Sequence, residues 1–287
     1  MIRSVLAIIA AIFLSLTVSF DSYAAECGSL EYSIINGEAV ITGFSGEPTD
    51  LDIPEFISCY PVTEIRDNAF CNCSSLERIT FPETLTKIGH HSFYACYSLR
   101  DIALPSGLTE LGEGCFCGCA ALTTAKLPDT LEQLPRSCFR ACTSLRNIEL
   151  PDKLNSVGDF CFAGCTRLEK AETGECLASV GDGAFFMCNK LKSIYIPLSC
   201  TAIGDQAIGY SCDGNMALRQ HDMLIRGNAG TSAERYAARN GLRFCAVNAD
   251  KEKVQTCTLL LGVIILFVLL RWFLRIVFTD RSDQKLK

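Results

Sequence analysis

The sequence predicts an α/β solenoid, a stack of similar coils with a parallel sheet on one face, and three observations carry that prediction. A segment of twenty-three residues repeats without slippage from Ile65 to Ala202, its copies beginning at Ile65, Ile88, Leu111, Leu134, Val157 and Val180. A short apolar–polar alternation in the copies runs into a proline at one fixed place: Pro82, Pro105, Pro128, Pro151 and Pro197. A cysteine recurs at another fixed place, at Cys73, Cys96, Cys119, Cys142, Cys165 and Cys188. A period in the twenties belongs to stacked units, none of which buries its apolar face alone. Such a stack offers a long surface and points to binding rather than catalysis.

The elements follow in chain order. Met1-Ile2-Arg3, the apolar run Val5 to Leu16 and the small residues around Ala24-Ala25 predict a secretory signal peptide over 1–25, with an uncleaved anchor as the alternative. Residues 26–64 form an N-terminal cap, and residues 65–202 form the six repeats. In the first repeat Ile79 and Phe81 alternate with polar Arg78 and Thr80, which is strand periodicity. The proline then ends the strand, because it has no N–H to continue a ladder. Parallel strands from successive copies stack about 4.8 Å apart. Ala69 and Cys73 are four apart, which predicts one helical turn on the opposite face. Asp67, Asp159 and Asp182 precede that turn as capping candidates.

The fifth copy departs from the pattern. Ala171, Thr173 and Gly174 stand where other copies carry isoleucine, leucine and proline. The plain expectation is a thinner coil, and the sharper one is a kink that reshapes the binding face. A degenerate repeat and a C-terminal cap follow over 203–249. There Thr231 to Glu234 has capping-box spacing, Asn240-Gly241 stops the helix, and Leu242 to Val247 reads as a strand.

Beyond a linker at 250–256, residues 257–278 predict one transmembrane helix. Cys257 to Leu270 is uncharged. Extension to Phe278 gives a spanning length if Arg271 and Arg275 snorkel to the headgroups, and Trp272 suits an interface. The tail, 279–287, is net basic. The positive-inside rule then puts the tail in the cytoplasm and the repeats outside.

The motif Ile-Arg-Asp-Asn-Ala-Phe-Cys-Asn-Cys-Ser-Ser-Leu (65–76) and its counterpart Val-Gly-Asp-Gly-Ala-Phe-Phe-Met-Cys-Asn-Lys-Leu (180–191) resemble the leucine-rich repeat, specifically its BspA-like subclass of surface proteins. The resemblance extends to the cap at Glu31-Tyr32 and 39–43, and to the closing unit at 225–230 and 233–237. It implies a parallel sheet on a concave face, short helical turns on a convex face, and recognition of an extracellular protein, as in adhesion to a host, matrix or neighbouring-cell protein. A scaffolding role in the cell envelope is the second expectation, and a redox or metal role the third.

The chain of 287 residues has 18 cysteines. Those of the ladder Cys73 to Cys188 hold equivalent positions and share one inward aspect, and Cys115, Cys138 and Cys161 form a shorter second ladder. Small, often buried cysteine suits such slots. A same-turn bond such as Cys115–Cys119 is geometrically poor: Cβ atoms four apart on a helix lie ~5–6 Å apart against about 3.8 Å in a disulfide. Free buried thiols are therefore expected. Cys27 and Cys59 could pair within the cap. The C-x-C-x-C run from Cys115 to Cys119 lacks a second knuckle, so no metal site is assigned.

Net charge is −6, which argues against nucleic acid as a partner. The three histidines, His90, His91 and His221, sit outside any metalloprotease motif, and there is no nucleophile elbow or phosphate loop. No cofactor and no enzymatic activity are expected. The candidate protein-binding residues are the outward positions on the implied concave face: Arg78, Thr80, Arg100, Asp101, Lys126, Arg146, Glu149, Lys170, Glu172, Lys192 and Tyr195. Tyr195 and the arginines lead, since aromatics and arginine dominate interface hot spots.

Overall fold

Each coil closes a triangle. The computed structural model describes residues 30–213 and 216–247. One side carries three-residue strands: Asp50–Asp52, Arg78–Thr80, Asp101–Ala103, Thr124–Lys126, Asn147–Glu149 and Lys170–Glu172, then Ser193–Ile196. A second side carries two-residue strands at Lys87–Ile88, Glu110–Leu111, Gln133–Leu134, Ser156–Val157, Ser179–Val180 and Ala202–Ile203. Pairing on both sides is parallel and offset by one repeat, for example Ile102 with Ala125 and Val157 with Val180.

The third side corrects the sequence reading. No helical turn forms there. Asn68, His91, Gly114, Ser137, Phe160 and Gly183 all have positive φ, and so do Asn72, Ala95, Gly118, Ala141, Gly164 and Met187. A left-handed residue at two fixed points per coil cannot belong to a right-handed helix. The chain makes tight turns instead, and every second amide donates to the next coil. Asn68 N–H reaches the His90 carbonyl at 2.9 Å, Phe70 the Ser92 carbonyl at 2.8 Å, and Asn72 the Tyr94 carbonyl at 2.7 Å. The capping candidates also work between coils. The Asp67 carboxylate accepts from His90 N–H at 2.7 Å, Asp159 from Asp182 at 2.9 Å, and Asp182 from Asp205 at 2.7 Å.

The interior is two columns. Phe70, Phe93, Phe116, Phe139, Phe162 and Phe185 are fully buried or nearly so and stack ring on ring, with successive centroids 5.0, 5.3, 5.5, 5.6 and 5.2 Å apart. Beside them the cysteine ladder is made of unpaired thiols, buried from Cys96 onward, as is the second ladder of Cys115, Cys138 and Cys161. From Cys96 onward each main-ladder thiol donates to the carbonyl of a phenylalanine one coil earlier: Cys96 to Phe70 at 3.2 Å, Cys119 to Phe93 at 3.3 Å, Cys142 to Phe116 at 3.3 Å, Cys165 to Phe139 at 3.2 Å and Cys188 to Phe162 at 3.2 Å. Alanine fills such a slot but leaves that carbonyl without its sulfur donor. Burial pushes the thiol of Cys96 up to about 12, and that of Cys161 likewise to about 12.

The ends are capped differently. At the start, Leu30–Ile35 and Glu38–Phe44 form an antiparallel hairpin whose second strand pairs in parallel with Tyr60–Ile65. Asn36 and Gly37 at its tip both have positive φ, as a tight hairpin turn requires. At the other end Ser232–Asn240 is an α-helix, and Gly241 closes it at φ 62. The expected capping box does not form. Glu234 accepts from Gly230 N–H at 2.6 Å, while the Thr231 hydroxyl donates to the Asn228 carbonyl at 2.6 Å instead of capping. The strand expected near Leu242 runs over Arg243–Ala246 and pairs with Leu224–Gly227. A hairpin of Tyr210–Asp213 and Met216–Arg219 interrupts the seventh copy after its turn at Gln206, which the repeat pattern did not foretell.

The fifth coil does not kink the stack. Asn147, Ile148 and Glu149 face Lys170, Ala171 and Glu172 in unbroken register, and the phenylalanine spacing holds on both sides of it. The signal peptide, Cys27 and its pairing with Cys59, the linker, the transmembrane helix at 257–278 and the basic tail all lie outside the described residues. Among the described residues no helix is long and apolar enough to cross a membrane.

Candidate functional site

The three-residue strands carry the candidate site because their middle residues point inward. Ile79, Ile102, Ile148 and Ala171 are buried, which turns the residues on either side of each out to solvent. The expected columns therefore stand where the sequence put them. Arg78, Thr80, Arg100, Asp101, Lys126, Arg146, Glu149, Lys170, Glu172 and Lys192 are exposed, and Tyr195 is half-buried.

Most of these charges are matched within the strip. Arg78 pairs with Asp50 at 2.5 Å, Arg100 with Glu77 at 3.1 Å, Arg146 with Glu169 at 3.9 Å and Lys192 with Asp222 at 2.5 Å. Lys170 pairs with Glu172. Solvent-exposed pairs of this kind are worth only ~0–1 kcal/mol each. The hydrogen bond and charge of Glu172 raise the pKa of Lys170, and the hydrogen bond of Lys192 lowers that of Asp222. Asp101 accepts from the hydroxyls of Thr123 at 2.8 Å and Thr124 at 2.6 Å. The Tyr195 hydroxyl donates to Glu175 at 3.1 Å, and desolvation together with that carboxylate raises its pKa.

Two depressions open on this face. The wider, about 960 Å³, runs over the first four coils above Phe81, Leu104 and Leu127 and between Pro105 and Pro128. The second, about 620 Å³, lies over the fifth coil, where Gly174 and Ala171 replace a proline and an isoleucine. The departure at the fifth copy thus reshapes the surface by omission of side chains rather than by a bend. Gly174 also allows close approach: a Cβ there would sit 2.7 Å from Asp152 Cα. Strand pairing lapses between this coil and Ser193–Ile196, and the Thr173 hydroxyl crosses the gap to the Tyr195 carbonyl at 2.6 Å.

The sequence reading missed Arg226, Asp129 and Asp152, which line the same depression. Arg226 stands opposite Tyr195 in the sheet, so it extends the strip by one strand. Its signal was present, since Ile225-Arg226-Gly227 alternates like the repeats. Asp129 and Asp152 follow Pro128 and Pro151 directly, a place where the sequence alone reads as a plain turn.

A family model described as "BspA type Leucine rich repeat region (6 copies)" matches residues 50–134 and 109–217. This chain belongs to the BspA-type leucine-rich repeat family. No curated protein matches it. Among solved structures it is similar to a leucine rich cell surface protein from Faecalibacterium prausnitzii A2-165, with 26% identity over 67% of this chain and 57% of that one, at a TM-score of 0.58. It spans little more than half the length of that relative. A leucine-rich repeat protein from Eubacterium ventriosum ATCC 27560 shares the fold at 22% identity, covering 61% of this chain and 48% of that one with a TM-score of 0.52. Among its described residues this solenoid is built from parallel strands with little helix.

Proposed function

We propose that this chain is a non-catalytic recognition protein displayed outside the cell, and that its strand face adheres to a host, matrix or neighbouring-cell protein. The observation that carries this reading is the strip itself: outward residues of mixed charge on successive strands, broken by two depressions and backed by a rigid stack of rings. Such a surface suits protein recognition, which needs a broad pre-formed face rather than a deep cleft. The description of the F. prausnitzii relative as a cell surface protein supports the location, and so do the signal-like start and the apolar segment before the basic tail.

The test uses the full chain displayed on cells and a panel of matrix and cell-surface proteins. Binding of one of them, weakened tenfold or more by Arg100→Glu with Arg146→Glu, is the expected result. Unchanged binding by that variant would remove the strip from the interaction. Binding lost only when residues 257–287 are replaced would favour a scaffolding role instead.

A further inference from the structure

The second side of the triangle stops before the first. Along it, two carbonyls of each coil accept from the coil that follows. Asn155 accepts from Ala178 N–H at 2.7 Å and Val157 from Gly181 N–H at 2.8 Å; one coil later, Ala178 accepts from Thr201 N–H at 2.9 Å and Val180 from Gly204 N–H at 2.8 Å. The equivalent pair in the last coil is the carbonyls of Thr201 and Ile203. Ala202–Ile203 is the final strand of its sheet, and the helix Ser232–Asn240 comes after it in place of another strand. The Ser232 hydroxyl donates to the Cys200 carbonyl, but among the described residues the Thr201 and Ile203 carbonyls accept no hydrogen bond.

These two residues line a depression of about 310 Å³ whose other wall is Ser232, Arg235, Tyr236 and Arg239 of the helix. No carboxylate lines it. Arg235 has no ion pair among the described residues, and one bond, from Nη1 to the Gly230 carbonyl at 3.0 Å, holds it in place. Its neighbour Glu234 is taken up by Gly230 N–H. Arg239 lies 5.9 Å from the centre of the Tyr236 ring and reaches Asp205 at 3.4 Å in a solvent-exposed pair. Asp205 therefore offsets one guanidinium and leaves the other over.

The two walls call for different partners. Carbonyls need N–H donors, and guanidiniums need an anion. A mineral anion would meet the arginines alone. The single ammonium of a free amino acid cannot span two carbonyls placed two residues apart on a strand, roughly 6.6 Å. Alternate amides of an extended peptide have that same spacing. Ser232 bonds Cys200 and Arg239 reaches Asp205, so the helix runs beside the strand in the same sense. A parallel peptide strand would thus end beside Arg239.

We infer that this depression receives the free carboxyl terminus of an extended peptide, its amides donating to the Thr201 and Ile203 carbonyls and its terminal carboxylate meeting Arg239 and Arg235. The site lies on a different side of the coil from the charged strip and is separate from the recognition reading above.

The experiment measures binding of a labelled random tetrapeptide pool to the full chain. The pool is used with free carboxyl ends, with amide-capped ends, and with free ends but every amide N-methylated. The free acids are expected to bind, and the other two pools to bind at least tenfold more weakly. R235Q/R239Q is expected to weaken the free acids tenfold or more. The control R167Q/K190Q, which removes the same charge from exposed positions outside the depression, is expected to change binding less than twofold. No binding of the free acids, equal binding of the amide-capped or N-methylated pool, or equal losses in R235Q/R239Q and R167Q/K190Q would each overturn the proposal. The capped and methylated pools are compared on the parent chain, so they decide the matter even where a variant folds poorly. Loss of the free acids in the Arg100→Glu, Arg146→Glu variant would also overturn it, by moving the contact to the strip. Failure here leaves the recognition reading standing.

Discussion

The inside and the outside of this stack follow opposite rules. Inside, the same residue recurs coil after coil, so Phe116, Phe139 and Phe162 have nearly the same neighbours above and below. Outside, the equivalent strand position reads Thr80, Ala103, Lys126, Glu149, Glu172 and then Tyr195. Repetition inside secures the scaffold, because each ring finds its complement wherever the chain adds a coil. Variation outside costs the scaffold little, and that freedom lets the face become specific.

The largest expected break in this contrast is Phe139→Ala. It opens a cavity in mid-column and removes two ring contacts, so about 3–5 kcal/mol should be lost in a denaturant titration. If the loss were below about 1 kcal/mol, the range of an ordinary surface change, the column would not be what holds the coils together. Alkali probes the same interior. Buried thiols with pKa raised from 9.0 to about 12, as at Cys96 and Cys161, stay protonated in the fold while the unfolded chain ionises. The sign follows from linkage: stability is complete below pH 9 and falls as pH climbs from 9 toward 12. A melting midpoint that stays flat across that window would mean the thiols are exposed or bonded.

A smaller loss, about 1–2 kcal/mol, is expected for Gly183→Ala. Gly183 has φ +57, and a Cβ there would meet the Phe160 ring at 2.5 Å. Thermal melts would check it, and tolerance of alanine would mean that the turn column gives way easily. Outside, Arg146→Ala should shift stability by no more than about 0.5 kcal/mol, since its pair with Glu169 is solvent-exposed and long. A loss comparable to Phe139→Ala would erase the distinction.

Much of this was legible in the sequence because a repeat reports one structural question several times. The register, the inward cysteines and the outward strand columns follow from spacing alone. The turns did not, and the reason is physical. Ala69 and Cys73 are four apart both in a helix and across two tight turns, so spacing could not separate them. The discriminating signal was the company at 68 and 72 and their equivalents, where asparagine and glycine recur and favour positive φ. The closing hairpin at 210–219 was hidden because it occurs once. Asp129 and Asp152 were missed because a turn residue after proline reads as solvent-facing until the depression beside it is seen.

The thiol ladder has a direction. Each of the main-ladder sulfurs Cys96, Cys119, Cys142, Cys165 and Cys188 reaches back toward the amino terminus for its acceptor. A ribosome releases the acceptor before the donor, so each new coil meets a finished template as it emerges. For these sulfur contacts growth of the stack and synthesis of the chain run the same way, whereas the turn amides of each coil complete their bonds only when the next coil arrives.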